Sequence, residues 1–241
     1  MQHGLPEQAI EPTASRTGAN KLGYCAVKRA FDLTVTAMAV IVLSPLFLIL
    51  SVIVYLGDPG AVIYGQVRIG KNGKPFKMWK FRSMYRNADQ MIDQLSEEQK
   101  RQYHTEFKID NDPRITPVGN FLRKTSLDEL PQLYDIFIGN MTIVGPRPER
   151  LETIELYEKE MPEFGMRLQV KAGLTGYAQV YGKANTSPYD KLQMDLMYIA
   201  HPSLIEDLKI MLATVKILFM PESTEGVAEG QTTAMGQETE E

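Results

Sequence analysis

Two adjacent acids, Asp128 and Glu129, stand in the segment RKTSLDELPQL, with the cations Arg123 and Lys124 just ahead of them. A carboxylate can attack phosphorus and form an acyl phosphate, provided that neighbouring positive charge offsets the charge of the substrate. Glu129, with Asp128 beside it, can hold a divalent ion that bridges phosphate oxygens, because magnesium typically uses one or two carboxylates plus phosphates. The set suits a diphosphate substrate. A local reading competes with this one: Ser126 and Glu129 have the spacing of a capping box, in which Glu129 would only satisfy the first turn of a helix. For the tetrapeptide Leu127 to Leu130 taken alone, the capped helix is the commoner case.

A second group follows at Gly145 to Glu149, GPRPE. Pro146 and Pro148 restrict the backbone around Arg147 and limit where its guanidinium can go, which suits bidentate recognition of phosphate or carboxylate. The plainer alternative is a rigid turn whose arginine pairs with a nearby acid. Lys80 and Arg82 alternate with Phe81, so both would share one face of a strand, where they would meet phosphate or snorkel at a membrane surface.

These residues need elements to carry them. The runs AVIYGQVRI and PFKMWKFRSM flank Lys71, Asn72, Gly73 and Lys74, an Asn-Gly turn signal that predicts a β-hairpin. Helices are expected over Asp128 to Ile138, Leu151 to Met161 and Pro188 to Tyr198, with short extended pieces at Met141 to Val144 and Tyr177 to Val180. Asn87 to Lys108 is polar and helix-favouring, as befits a surface helix or lid. Leu204 to Phe219 sets Glu206, Lys209, Ala213 and Lys216 along one side, so it can pack on the core, the usual fate, or lie on a bilayer surface. The expected fold class is α+β, membrane-associated, with interfacial helices.

Leu33 to Leu56 contains no charged side chain, and at about 1.5 Å per residue it is long enough to cross a hydrocarbon core of ~30 Å. Ser44 and Pro45 stand near its middle, where proline should kink or break a helix. Two arrangements fit: a kinked span, or a re-entrant helix that enters and leaves by one face. Lys28 and Arg29 precede the run, and Arg68, Lys71, Lys74, Lys77, Lys80 and Arg82 follow it. Cations at both ends favour one cytoplasmic side. The first twenty residues lack the apolar core of a secretory signal.

Hydrophobic residues make up 44% of the 241-residue chain, too few for a transporter built mostly of spans. The net charge of -4 conceals a division, because six acids and no bases lie in 221–241, leaving a mildly basic body suited to phosphates or anionic lipid heads. The single Cys25 excludes an internal disulfide, and no Cys/His spacing suits zinc. The organisation read from these features is a disordered tail over 1–20, a membrane helix region over 21–57, a catalytic domain over 58–219 and a disordered acidic tail over 220–241.

KRAFDL, the apolar run interrupted by Ser44-Pro45, KFRSM, DPRITPVGNFLRKTSLDELPQL, GPRPE and GLTGYAQVYG stand in the order seen in bacterial sugar transferases. Over Tyr24 to Phe219 the chain resembles their small monotopic phosphoglycosyl transferases. The resemblance implies a re-entrant helix broken at Ser44-Pro45, a cytosolic domain on the inner face of a bacterial plasma membrane, and Mg2+-dependent transfer of a sugar 1-phosphate from a UDP-sugar to a polyprenyl phosphate, with UMP released. By the same resemblance Asp128 is the nucleophile, Glu129 its metal-associated partner, Arg123 and Lys80 cations near the phosphates, and Arg147 between Pro146 and Pro148 part of a nucleotide-binding motif. Asn87 to Lys108 and the tails resemble exopolysaccharide-type members, for which other assembly enzymes and a second copy of the chain are conceivable partners; no nucleic-acid partner is expected. The rivals are a non-catalytic membrane-anchored docking or regulatory module and a phosphohydrolase with water as final acceptor. The sugar and the polyprenyl length are not legible.

Overall fold

In the computed structural model, residues 18–106, 109, 111–182 and 186–219 are described. The expected tails lie outside them, except that residues 18–20 belong to a helix, where a tail was expected.

That first helix, α1 (Gly18–Gly57), is long and apolar enough to cross a membrane. It corrects one expectation: helical structure continues through Ser44 and Pro45 without a break. Pro45 has no N–H to give to the carbonyl four residues back, that of Ile41. The Ser44 hydroxyl donates to that same carbonyl at 2.8 Å, replacing the lost bond from within the turn.

Both halves of α1 are tied to the rest of the molecule. Near its start the Arg29 guanidinium donates to the carbonyls of Ile136 and Phe137, and the buried Asp32 accepts from the Thr142 hydroxyl and the Ile143 N–H. Near its end Leu50 and Val54 pack with Phe81 and Leu122. Between these anchors the outer face is bare, and Ile41 and Val42 are each 73% exposed.

The expected hairpin forms from β1 (Ile63–Ile69) and β2 (Pro75–Phe81), antiparallel, with Asn72 and Gly73 at positive φ in the turn. The polar stretch after it holds a short 3-10 turn and α2 (Glu97–Glu106), and its end at residues 107 and 108 lies outside the described residues. Next come α3 (Pro117–Lys124), a 3-10 turn (Leu127–Glu129) and α4 (Gln132–Ile138). The single helix expected from Asp128 is thus divided at Pro131, which caps α4 instead of continuing a helix from Asp128.

β3 (Met141–Val144) pairs in parallel with β4 (Ala172–Thr175), and between them lie α5 (Leu151–Glu160) and a 3-10 run (Pro162–Gln169). The extended piece expected at Tyr177 to Val180 is instead α6 (Tyr177–Tyr181). Tyr177 and Val180 both pack on the main core cluster, a contact at i, i+3 that only a helix provides. The fold closes with α7 (Pro188–Ala200) and α8 (Leu204–Phe219).

The main core gathers Leu133, Ile136, Met141, Val144, Tyr198 and Ile210, so β3 and β4 are sandwiched among α1, α4, α7 and α8. On α8 the inner face carries Ile210 and Asp207, whereas Ile205, Leu208, Leu212 and Val215 form an exposed apolar stripe. Core packing and an outward apolar face therefore coexist on one helix.

Candidate active site

The DPRIT segment aims α3. Arg114 forms a bidentate pair with Asp112, both buried, and the Thr116 N–H and hydroxyl meet the carbonyl of Ser83 after β2. Thr116 then caps α3, its hydroxyl accepting from Gly119 at 2.9 Å. Gly119 is required by proximity, since a Cβ there would fall 1.9 Å from the Ser83 carbonyl oxygen. One helical turn on, Arg123 donates from Nε to the Ser83 hydroxyl at 2.8 Å.

The chain leaving α3 turns through Ser126, whose φ of 56° is left-handed. A non-glycine residue pays for that conformation, and such residues gather at functional sites. The capping box does not form: the Ser126 side chain makes no capping hydrogen bond. Glu129 is engaged elsewhere, its Oε1 accepting from Lys80 Nζ at 2.7 Å and from an Arg147 terminal nitrogen at 2.8 Å. Burial opposes its charge, but Arg147 and Lys80 outweigh it and hold the carboxyl at about 2.

Asp128 is the opposite case. It is 8% exposed and accepts no hydrogen bond among the described residues. Burial, aided by the adjacent Glu129, raises its pKa above the ordinary aspartate value, although Lys80, Arg123 and Arg147 pull the other way. A buried carboxylate with free oxygens among three cations can accept a bond to an electrophile that brings its own negative charge.

Arg147 is exposed between the buried Pro146 and Pro148. Its loop is pinned by three backbone bonds: the Gly145 N–H to Thr175, the Gly173 N–H to Pro146, and the Ile69 N–H to Glu149. Arg167, paired with the buried Asp195, donates to the Arg147 carbonyl at 3.1 Å. Gly70, Arg147, Ile154, Phe164, Arg167 and Val170 line a cleft beside this loop.

All four residues expected at the centre, Asp128, Glu129, Lys80 and Arg123, meet here, and Arg147 joins them. Arg82 does not: expected on one strand face with Lys80, it lies just past the end of β2 and pairs with Asp58 beyond the end of α1. Ser83, Arg167 and Asp195 were not read from the sequence. Their function is support through contacts far along the chain, and no local motif marks them.

Among the described residues no three His, Cys, Asp or Glu side chains converge, so an all-protein metal cage does not fit. A magnesium ion needs only one or two carboxylates when phosphates and water supply the rest. Among the described residues Asp128 has both oxygens free and Glu129 engages only Oε1, so the pair fits an ion that arrives with a diphosphate.

The chain belongs to the bacterial sugar transferase family, whose model matches residues 23–221. Over 191 residues it is 42% identical to the exopolysaccharide production protein ExoY of Sinorhizobium fredii, covering 78% of this chain and 83% of that one. It is 39% identical over 219 residues to the UDP-glucose:undecaprenyl-phosphate glucose-1-phosphate transferase of Escherichia coli, and 38% identical over 195 residues to the undecaprenyl-phosphate galactose phosphotransferase of Salmonella typhimurium. The matches cover 88% and 80% of this chain but only 43% and 40% of those longer proteins.

Proposed function

We propose that this protein transfers a sugar 1-phosphate from a UDP-sugar to a polyprenyl phosphate through a covalent intermediate on Asp128. The observation that carries the reading is the contrast within the acidic pair: Glu129 is held by two cations, while Asp128 is buried, unbonded and surrounded by the same charges. The names of the similar proteins point to the same reaction class.

In the first step an Asp128 oxygen attacks the phosphorus that bears the sugar. The phosphoanhydride bond breaks, and UMP leaves with the bonding electron pair. In the second step a polyprenyl phosphate oxygen attacks the same phosphorus, the aspartyl bond breaks, and the carboxylate is regenerated. The product is a polyprenyl diphosphate sugar. Lys80, Arg123 and Arg147 offset the phosphate charge, and the prolines beside Arg147 keep its guanidinium from following the substrate outward. Magnesium, when bound by Glu129 and Asp128, adds charge neutralisation at the phosphates.

The long lipid tail of the acceptor must remain in a bilayer while its phosphate reaches Asp128. The exposed faces of α1 and α8 suit immersion at that depth. Both halves of α1 contact the same domain, which supports a monotopic placement, with the helix lying along the domain at the bilayer surface, over a span that carries one end away; the domain is read on the cytoplasmic face.

UMP release tests this reading in nanodiscs supplied with Mg2+ and a panel of UDP-hexoses, with and without polyprenyl phosphate, beside Asp128→Asn. Steady turnover that needs the lipid and vanishes in the variant is the expected result, and it names the sugar. Equal turnover without lipid would make the protein a hydrolase, and no release from any donor would favour the docking module.

A further inference from the structure

Away from the catalytic cluster, a second group of cations gathers at the end of α4. Gly139 terminates that helix at φ 92°. A Cβ built on it would lie 3.2 Å from an Arg29 terminal nitrogen and 3.4 Å from Lys171 Nζ. Two positive side chains therefore converge on a point that only glycine leaves open. Lys71, in the hairpin turn, follows Gly70, which lines one cleft with Val170 and Ala172 on either side of Lys171, so a third cation stands nearby.

Among the described residues no ion pair neutralises this group. Arg29 spends its donors on the Ile136 and Phe137 carbonyls. The nearby acid, Asp32, is occupied by Thr142 and the Ile143 N–H. Neither Lys171 nor Lys71 forms an ion pair among the described residues. Burial, then Arg29, lowers the pKa of the Lys171 ammonium, a cost that a bound anion would relieve.

The surroundings say which anion. Phe137 and Ile138 are exposed on α4 beside the recess, and Val27 and Phe31 are exposed on α1 within a turn of Arg29. Cations edged by apolar side chains, next to the long apolar helix, complement a phosphate that carries acyl chains. We infer that Lys171 and Lys71, with the charge of Arg29, bind the phosphodiester of an anionic phospholipid. This rests on the membrane placement of α1 proposed above. The lipid is distinct from the acceptor in its ligands: Arg29 and Lys171 close around Gly139 at the end of α4, whereas Asp128 stands beside Glu129, which Lys80 and Arg147 hold. Its effect would be to set the domain's depth and tilt, so that Asp128 meets the acceptor phosphate.

The test is native mass spectrometry of the full chain released from nanodiscs of equimolar phosphatidylcholine and phosphatidylglycerol, with a trace of polyprenyl phosphate. Wild type should retain phosphatidylglycerol over phosphatidylcholine. Lys171→Gln should lower that preference about fivefold, as should Lys71→Gln, on the scale of one interfacial lysine, whereas Lys171→Arg should keep it. Thermal unfolding of Lys171→Gln in phosphatidylcholine discs, where no anion is available, should match wild type or lie higher. Equal retention by wild type and both glutamine variants, or no preference in wild type, overturns the site. Loss of polyprenyl phosphate instead of phosphatidylglycerol also overturns it, by assigning these lysines to the acceptor. A wild-type chain that does not enter discs overturns the membrane placement itself, and the inference with it.

Discussion

Asp128 and Asp32 are both buried aspartates, 8% and 3% exposed, yet they face opposite surroundings. Asp32 receives a hydroxyl and a backbone N–H from β3 and so fastens α1 to the sheet. Asp207 is used alike, accepting from Tyr24, Lys28 and Tyr198 to join the starts of α1 and α8. Asp128 receives charge from several sides but no hydrogen bond among the described residues. A buried carboxylate whose oxygens are satisfied is a fastener, and one whose oxygens are left free is available to react. The region that anchors the long apolar helix and the region proposed for chemistry differ in this respect more than in burial.

The largest expected effect separates the two directly. Asp128→Asn should reduce UMP release by at least about a thousandfold, because an amide cannot replace the nucleophile, while the thermal midpoint stays level or rises as a buried charge disappears. A variant that keeps activity would end the distinction.

Asp32→Ala should do the reverse. It strands two buried donors, and a loss of about 2–4 kcal/mol is expected in denaturant titration, with turnover per folded molecule retained. A stable but inactive Asp32→Ala protein would show that the fastener also takes part in the chemistry.

Asp135 supplies an intermediate case that sharpens the contrast. It is fully buried and accepts from the Trp79 N–H, yet burial raises its carboxyl to about 6. The folded value exceeds the unfolded one, so the fold favours the protonated acid. That contribution is complete below the unfolded value of about 3.9 and is lost as pH rises through the folded value. Asp135→Asn keeps an acceptor for Trp79 without the charge. It should stabilise the protein by about 1–3 kcal/mol at alkaline pH and by less near pH 5, read as a flatter dependence of the denaturation midpoint on pH.

The smallest effect concerns the helix itself. Ser44→Ala removes the hydroxyl that substitutes for the missing Pro45 donor, and a cost of about 0.5–1.5 kcal/mol is expected. Hydrogen exchange should then rise around Ile41. No change there would mean that the Ile41 carbonyl finds its partner elsewhere.

The sequence by itself determined the apolar run, the hairpin and its turn, the acidic pair, Arg147 between its prolines, and most helices, because each is written in local periodicity, turn chemistry or adjacent residue types. It also carried, through motif order, the family. Tertiary structure decided what local patterns leave open. The Ser126 to Glu129 spacing allowed a capping box, but Lys80 from the hairpin and Arg147 from the loop after β3 took Glu129 instead. Tyr177 to Val180 read as extended until the core received both side chains at helical spacing. Lys80 and Arg82 looked equivalent on one strand face and were separated by Asp58 beyond the end of α1. Arg167 and Asp195 carry no local signature, since their role exists only where the chain brings them to the Arg147 carbonyl. In each case the outcome depended on which distant donor or charge arrived, and long-range pairing energies are not encoded in any short stretch of chain.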